Sequence, residues 1–243
     1  TASQIGMMAA VASLFGAIAL FPGARMLERV GRRMPIVLWS VGLLTRGMLI
    51  PLALLPFFIQ DGALAIPVII AIGAVRAFGV NFADPSMTSM AADLVPPFMR
   101  GRYFSLRNFI MGVATLIFTP LAGMMINRSS TTADQPLAGF QFAFVIAFAA
   151  GMMATWAYSR IQEPPLHMAG ATTGIKPHSV GQILRGSRTL TAFVVSAFVW
   201  NMSLQIASPY FNVYMVTHLG GTTFSVGVVT AISALTGLFG QIF

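Results

Sequence analysis

The stretch RMLERVGRR, residues 25–33, concentrates four arginines between two long apolar segments. These segments cover residues 3–21 and 35–58. Each is long enough to cross the hydrocarbon layer of a bilayer, because a layer about 30 Å thick takes roughly 20 helical residues. The basic stretch is therefore predicted to be a tight loop between two transmembrane helices, and its charge fixes one side of the membrane.

The composition indicates that lipid is the main solvent of the whole chain. Hydrophobic residues make up 56% of it and charged residues only 8%, whereas a soluble domain carries about 25% charged residues. We predict an all-α integral membrane protein with about seven transmembrane helices. The predicted spans are residues 3–23, 35–58, 65–91, 105–126, 140–159, 189–217 and 223–243.

The basic residues alternate between the two sides of the predicted membrane. Of 14 Lys and Arg residues, eleven follow the first, third and fifth spans, and only Arg128 follows an even-numbered span. This positive-inside pattern makes the basic loops cytoplasmic and predicts a multi-pass protein of the plasma (inner) membrane. The net charge of +8 is then explained by the orientation of the helices in the membrane. No nucleic-acid partner is expected, because the charge is scattered over three loops.

Residues 24–33 resemble the signature loop of the major facilitator superfamily, Gly-x-x-x-Asp-Arg-x-Gly-Arg-Arg/Lys, which joins that family's second and third helices. Ala24 stands where the family has Gly, and Glu28 where it has Asp. The resemblance implies a latch between the two halves of a transporter on its cytoplasmic side. The signature-loop residues that would form it are Glu28, Arg29, Gly31, Arg32 and Arg33.

An internal repeat supports two related halves. Residues 3–6 (SQIG) align with residues 224–227 (FSVG) at an offset of 221, and Gly16 aligns with Gly237 at the same offset. With the family's helix order, the chain is expected to be a fragment that covers about helices 2 to 8 of 12. The predicted domains are an N-terminal six-helix half without its first helix (1–160), a cytoplasmic linker between the halves (161–188) and the first two helices of the C-terminal half (189–243).

Three charged residues lie well inside predicted spans: Arg46, Arg76 and Asp84. An arginine near the middle of the membrane costs at least about 2.5 to 3.5 kcal/mol, so each needs a partner or a function. Arg76 and Asp84 are candidates for binding substrate or coupling protons. The alternative is a buried structural pair, such as Arg46 with Asp84. Arg46 is expected to be structural, because the family resemblance places its helix outside the central cavity.

Four polar residues form a polar stripe on the sixth span: Asn201, Gln205, Ser208 and Asn212. Their spacing of i, i+4, i+7 and i+11 puts them on one face of a helix. The stripe either lines a wet cavity or bonds to another helix, and the sequence leaves both open. The family resemblance favours the cavity, since it places this helix at the centre, and the stripe joins the candidates for substrate binding.

The chain lacks the signatures of soluble enzymes. It has no phosphate-binding loop, no Gly-x-Ser-x-Gly, no His-Glu-x-x-His and no cysteine. We therefore expect no enzyme activity, cofactor or metal. The predicted function is secondary active transport of a small solute by alternating access, with the bilayer and the solute as partners and with protons as a candidate coupling ion. The alternative is a transport-inactive relative that serves as an assembly factor or accessory subunit of a larger membrane complex.

Overall fold

The computed structural model describes residues 2–59, 61–130, 137–164 and 186–242, which are almost entirely helical and contain no strand. Within these ranges seven long helices follow one another. They are α1 (Ala2–Val30), α2 (Met34–Phe58), α3 (Gly62–Leu94), α4 (Arg100–Ser130), α5 (Ala138–Ser159), α6 (Arg188–Thr217) and α7 (Thr223–Ile242). The predicted all-α membrane fold is confirmed.

Helix lengths match a bilayer. In the described part of the chain, 6 helices, α1 to α6, are long and apolar enough to cross a membrane, and α7 contributes a shorter apolar helix, Phe224–Ser233. The longest, α3, has 33 residues and so extends about 50 Å. Because the hydrocarbon layer is only about 30 Å thick, the ends of such a helix reach into the headgroup layers.

The turn between α1 and α2 depends on Gly31. Its φ of 63° is the left-handed conformation that glycine adopts without a steric penalty. Its N–H donates to the carbonyl of Leu27 at 3.0 Å, which closes the last turn of α1. Pro35 lies in the first turn of α2, where its missing N–H leaves no helical bond unmade. The signature loop is therefore only a few residues long.

The middle of α2 is a π-helix, Leu38–Gly47, where the sequence predicted one uniform span. The wider turns place α2 against Gly79 of α3. The Ser40 hydroxyl donates to the Gly79 carbonyl, and a Cβ added at Gly79 would lie 2.6 Å from Thr45 Oγ1. Only glycine lets these two helices approach so closely. Apolar periodicity does not distinguish a π-helix from an α-helix, so the sequence could not reveal it.

The closest packing joins α1 to α3 and α4 to α7, and α4 also packs against α5. α1 lies along α3, and α2 lies between α3 and α5, so the buried residues concentrate in these first helices. α4 packs along α7. The helix α6 exposes nearly all of its described side chains. The large apolar side chains on these outer faces suit lipid rather than water.

Gly6 and Gly227, which the repeat aligns with each other, both lie at contacts between helices. A Cβ added at Gly6 of α1 would meet the hydroxyl of Tyr210 on α6, and one added at Gly227 would lie 3.1 Å from the Thr119 carbonyl oxygen and Pro120 Cα on α4.

The division into 1–160, 161–188 and 189–243 stays a prediction, because residues 165–185 of the predicted linker lie outside the described ranges.

Candidate functional site

Arg33 ties the signature loop to two other segments. Its side chain is only 1% exposed, and its guanidinium group forms an ion pair with Asp93 near the end of α3. The same group donates to the carbonyl of Pro164 at 3.4 Å, and the Arg33 backbone N–H donates to Glu163 Oε1. One arginine thereby joins the start of α2, the end of α3 and the segment after α5.

The other signature-loop residues behave differently from Arg33. Glu28, Arg29 and Arg32 are exposed, and Gly31 forms the turn. The sequence grouped them with Arg33 as one latch between halves, and that role stays a prediction. The sequence also missed Asp93 and Glu163 as partners of Arg33. The signal was present, because the chain has only 6 acidic residues and these two follow predicted spans on the side where the arginines collect.

Arg100 closes the end of α3 from outside that helix. Its Nη2 donates to the Ala92 carbonyl at 2.7 Å and its Nε to the Val95 carbonyl at 3.3 Å. The last carbonyls of a helix lack intrahelical partners, and a positive charge there also complements the helix dipole. Arg100 thus stabilises the segment that carries Asp93.

Arg46 connects α2 to α5 inside the membrane. Its Nη1 donates to the Gly151 carbonyl and to Thr155 Oγ1, and Thr155 Oγ1 also donates to the Gly151 carbonyl at 3.0 Å. A Cβ added at Gly151 would lie 2.9 Å from Arg46 Cδ. These contacts correspond to the structural role expected for Arg46. Arg46 makes these contacts with α5 instead of the ion pair with Asp84 that the sequence offered as the alternative.

Arg76 lies on the side of α3 that faces α2. Its Nε donates to the Thr45 carbonyl at 3.2 Å, and Thr45 Oγ1 lies 3.5 Å from the Arg76 carbonyl. The side chain is half-buried. Among the described residues its two terminal nitrogens have no hydrogen-bond partner, so four N–H donors remain for a ligand.

Asp84 lines a cavity of about 170 Å³ between α3, α4 and α5. We call this the carboxylate cavity; besides Thr88 of α3, its polar lining comes from Tyr103, Arg107 and Tyr158 on α4 and α5. The Tyr158 hydroxyl donates to Met90 Sδ at 3.3 Å, which fixes one wall. A carboxylate and a guanidinium group therefore share one small cavity. The sequence identified Asp84 as a candidate but not Tyr103, Arg107 or Tyr158. These three belong to α4 and α5, and only the fold brings them next to α3.

The polar stripe of α6 is exposed along its length, and part of it lies in a groove between α6 and α7. Ser208 and Asn212 line an open groove of about 390 Å³ that also includes Thr230 of α7. Asn201 donates to the Ala197 carbonyl of its own helix at 2.8 Å, and Gln205 is exposed. The candidate residues thus fall in three places: Arg76 against α2, Asp84 in the carboxylate cavity and the stripe on α6.

The ranges that the structure describes contain no cluster of three or more His, Cys, Asp or Glu side chains able to hold a metal ion. The charged side chains inside the predicted spans are arginines and one carboxylate, Asp84. Such groups suit binding of charged or polar solutes and protons.

These features define a multi-pass α-helical membrane protein with charged residues inside its spans. The model of the Major Facilitator Superfamily matches residues 1–243. The chain belongs to this superfamily, whose members are membrane transporters rather than enzymes. No curated protein and no solved structure matches the chain significantly.

Proposed function

We propose that the protein is a secondary active transporter that moves a small solute by alternating access, with proton coupling through Asp84. The observation that carries the proposal is the position of Asp84: a carboxylate inside a membrane-spanning helix, exposed to a cavity and without an ion-pair partner among the described residues. An ionisable group at such a position is costly and marks an ion or substrate pathway.

The walls of the carboxylate cavity support proton exchange at Asp84. The carboxylate lies near the predicted cytoplasmic end of α3, and Arg107, Tyr103 and Tyr158 supply polar groups around it. Water that enters from this end could deliver or remove a proton. In the proposed mechanism Asp84 binds a proton when the cavity is open to one side of the membrane and releases it when the cavity is open to the other.

Arg76 and the polar stripe are assigned to the solute. The guanidinium group of Arg76 offers a planar set of donors, and its terminal nitrogens can bind an anionic or polar group. The stripe from Asn201 to Asn212 offers amide and hydroxyl groups along a helix that is otherwise apolar. In the proposal these groups converge on the solute when the two halves close around it. We propose the plasma (inner) membrane as the location, with the basic loops on its cytoplasmic side as the positive-inside pattern predicts.

The test measures solute-dependent proton movement. The purified protein is reconstituted into liposomes that contain a pH-sensitive dye, and sugars, amino acids, organic acids and organic cations are added in turn under an imposed pH gradient. We expect at least one class to accelerate proton flux. Asp84→Asn should reduce that flux strongly, because the amide side chain cannot take up and release a proton as a carboxylate does.

The matched control is Asp61→Asn. Asp61 precedes α3 and accepts a hydrogen bond from the Ala63 N–H at 2.9 Å, a cap that Asn replaces well. This variant should retain full flux. Full flux in Asp84→Asn would remove the coupling role of Asp84, and no flux with any solute class in the folded wild-type protein would favour the transport-inactive alternative.

A pair of conservative variants separates the two membrane-embedded arginines. Arg76→Lys keeps the charge but loses the planar donor set, so solute uptake should fall about tenfold with little change in thermal stability. Arg46→Lys should instead lower the unfolding temperature, because a single ammonium group replaces the contacts to Gly151 and Thr155. Equal losses of uptake and stability in both variants would make Arg76 structural as well.

A further inference from the structure

A groove with two arginines opens beside the end of α1 that leads into the signature loop. Its volume is about 340 Å³, and we call it the arginine groove; its walls are Phe21, Pro22, Arg25, Met26, Arg29 and Phe82. Arg25 and Arg29 are four residues apart, so their side chains project from the same face of the helix. The groove therefore combines two positive charges with apolar walls.

Close packing fixes the apolar wall. At Gly23 the backbone of α1 approaches α3, and an added Cβ would meet the Phe82 carbonyl. The Phe82 ring stacks on Phe78 with centroids 5.6 Å apart and meets the Trp39 ring edge-on at 6.5 Å. The wall is built from α1 and α3, with Trp39 of α2 packed against Phe82, and does not depend on a loop.

The groove lies at the depth of the lipid headgroups. The apolar run of α1 ends near Phe21, whose side chain is 69% exposed, and Arg25 follows one turn later. α1 has 29 residues and extends about 43 Å, beyond a hydrocarbon layer of about 30 Å. Trp39, 53% exposed at the same end, is a residue type enriched at membrane–water interfaces.

The two arginines have no acidic partner in the described part of the chain. Among the described residues the ion pair is that of Arg33 with Asp93. Glu28 is close in sequence to Arg25 and Arg29 but forms an ion pair with neither. Neither guanidinium group donates a hydrogen bond to a described residue. Two uncompensated charges thus lie beside an apolar groove at headgroup depth.

We propose that the arginine groove binds an anionic phospholipid. The phosphate is held between Arg25 and Arg29, whose planar donor sets suit phosphate oxygens, and an acyl chain lies along Phe21, Met26 and Phe82. Basic residues beside membrane helices attract anionic headgroups in this way. The apolar wall argues for a lipid over a free phosphate, because a soluble ion would leave that wall exposed.

The test is lipid retention by the intact protein. Wild-type protein in detergent is titrated with phosphatidylglycerol or phosphatidylcholine, and bound lipid is counted by native mass spectrometry. Wild type should retain phosphatidylglycerol in preference to phosphatidylcholine. The double variant Arg25→Gln/Arg29→Gln should lose about 30-fold in phosphatidylglycerol affinity.

Two further variants keep the result interpretable. Arg102→Gln/Arg188→Gln removes the same charge from exposed positions outside the groove and should keep the affinity of wild type. Phe21→Ala keeps both arginines and should weaken phosphatidylglycerol binding without changing the binding of inorganic phosphate. It also tests the groove if the double arginine variant does not fold.

Three results would overturn the proposal. The first is equal retention of the two lipids by wild type, and the second is an equal loss of affinity in the two double variants. The third is inorganic phosphate binding as tightly as phosphatidylglycerol, with no effect of Phe21→Ala, which would make the groove a site for free anions.

Discussion

At the scale of single residues, neighbouring arginines of the signature loop differ in burial and in hydrogen bonding. Arg33 is buried and bonded to Asp93 and Glu163, whereas Arg32 beside it is exposed. Position relative to α2 explains the difference, because Arg33 directly precedes the first turn of α2 and points toward the end of α3. The sequence alone could not tell the two arginines apart.

The first prediction concerns this difference. Arg33→Gln leaves the Asp93 carboxylate without its cationic partner, whereas the backbone N–H that donates to Glu163 remains. The variant should destabilise the protein by about 2 kcal/mol. Breaking a buried ion pair costs about 3–5 kcal/mol, and the 31% exposure of Asp93 reduces that figure. Thermal unfolding followed by tryptophan fluorescence measures the change.

Arg32→Gln is the control for that measurement. It removes the same charge from an exposed neighbour and should change stability by less than about 0.5 kcal/mol. If the two variants lowered the unfolding temperature equally, the buried network at Arg33 would not be what stabilises this end of the helices.

At the scale of helices, the close contact between α4 and α7 depends on Gly227. Its backbone faces the backbone of Thr119 and Pro120, so no side chain can rotate away to make room for a methyl group. Glycine at such a position lets membrane helices pack at short range. In the predicted domain scheme, α4 and α7 belong to different halves, so this contact is a natural pivot between them.

The second prediction follows from that contact. Gly227→Ala places a Cβ 3.1 Å from Pro120 Cα and should destabilise the protein by about 1 to 3 kcal/mol, the usual cost of overpacking. Gly73→Ala is the control, because an added Cβ there meets nothing within 4 Å. A neutral Gly227→Ala would show that α4 and α7 are not in close contact in the membrane.

Helix identity and order could be predicted from the sequence, because apolar length and charge alternation are local signals. Contacts between helices could not. The π-helix of α2, the bonds of Arg46 to Gly151 and the walls that Arg107 and Tyr158 give to the carboxylate cavity all require knowing which helices are neighbours. The sequence therefore placed Asp84 and Arg76 correctly within spans but could not supply their surroundings.

At the scale of the whole molecule, topology follows from charge. The third prediction uses the absence of native cysteine. Single cysteines at Gly62 and Leu137 should react with an impermeant thiol reagent on intact cells, and cysteines at Arg102 and Gly186 should react only after lysis. All four positions are at or near helix ends. The reverse pattern would invert the orientation of every helix.

The central claim is that the protein exposes one internal site to each side of the membrane in turn. Accessibility of a cysteine in the polar stripe tests it without knowledge of the solute. A Gln205→Cys variant is treated with an impermeant thiol reagent on intact cells and, separately, on inside-out vesicles. The control is Ile206→Cys, about 100° further round α6 at an apolar position.

Alternating access predicts that the cysteine at position 205 reacts from both sides and the cysteine at position 206 from neither. The reason is that a wet internal site opens to each compartment, while a lipid-facing thiol stays protonated and unreactive. Reaction of the position-205 cysteine from one side only, or from neither, would contradict the account.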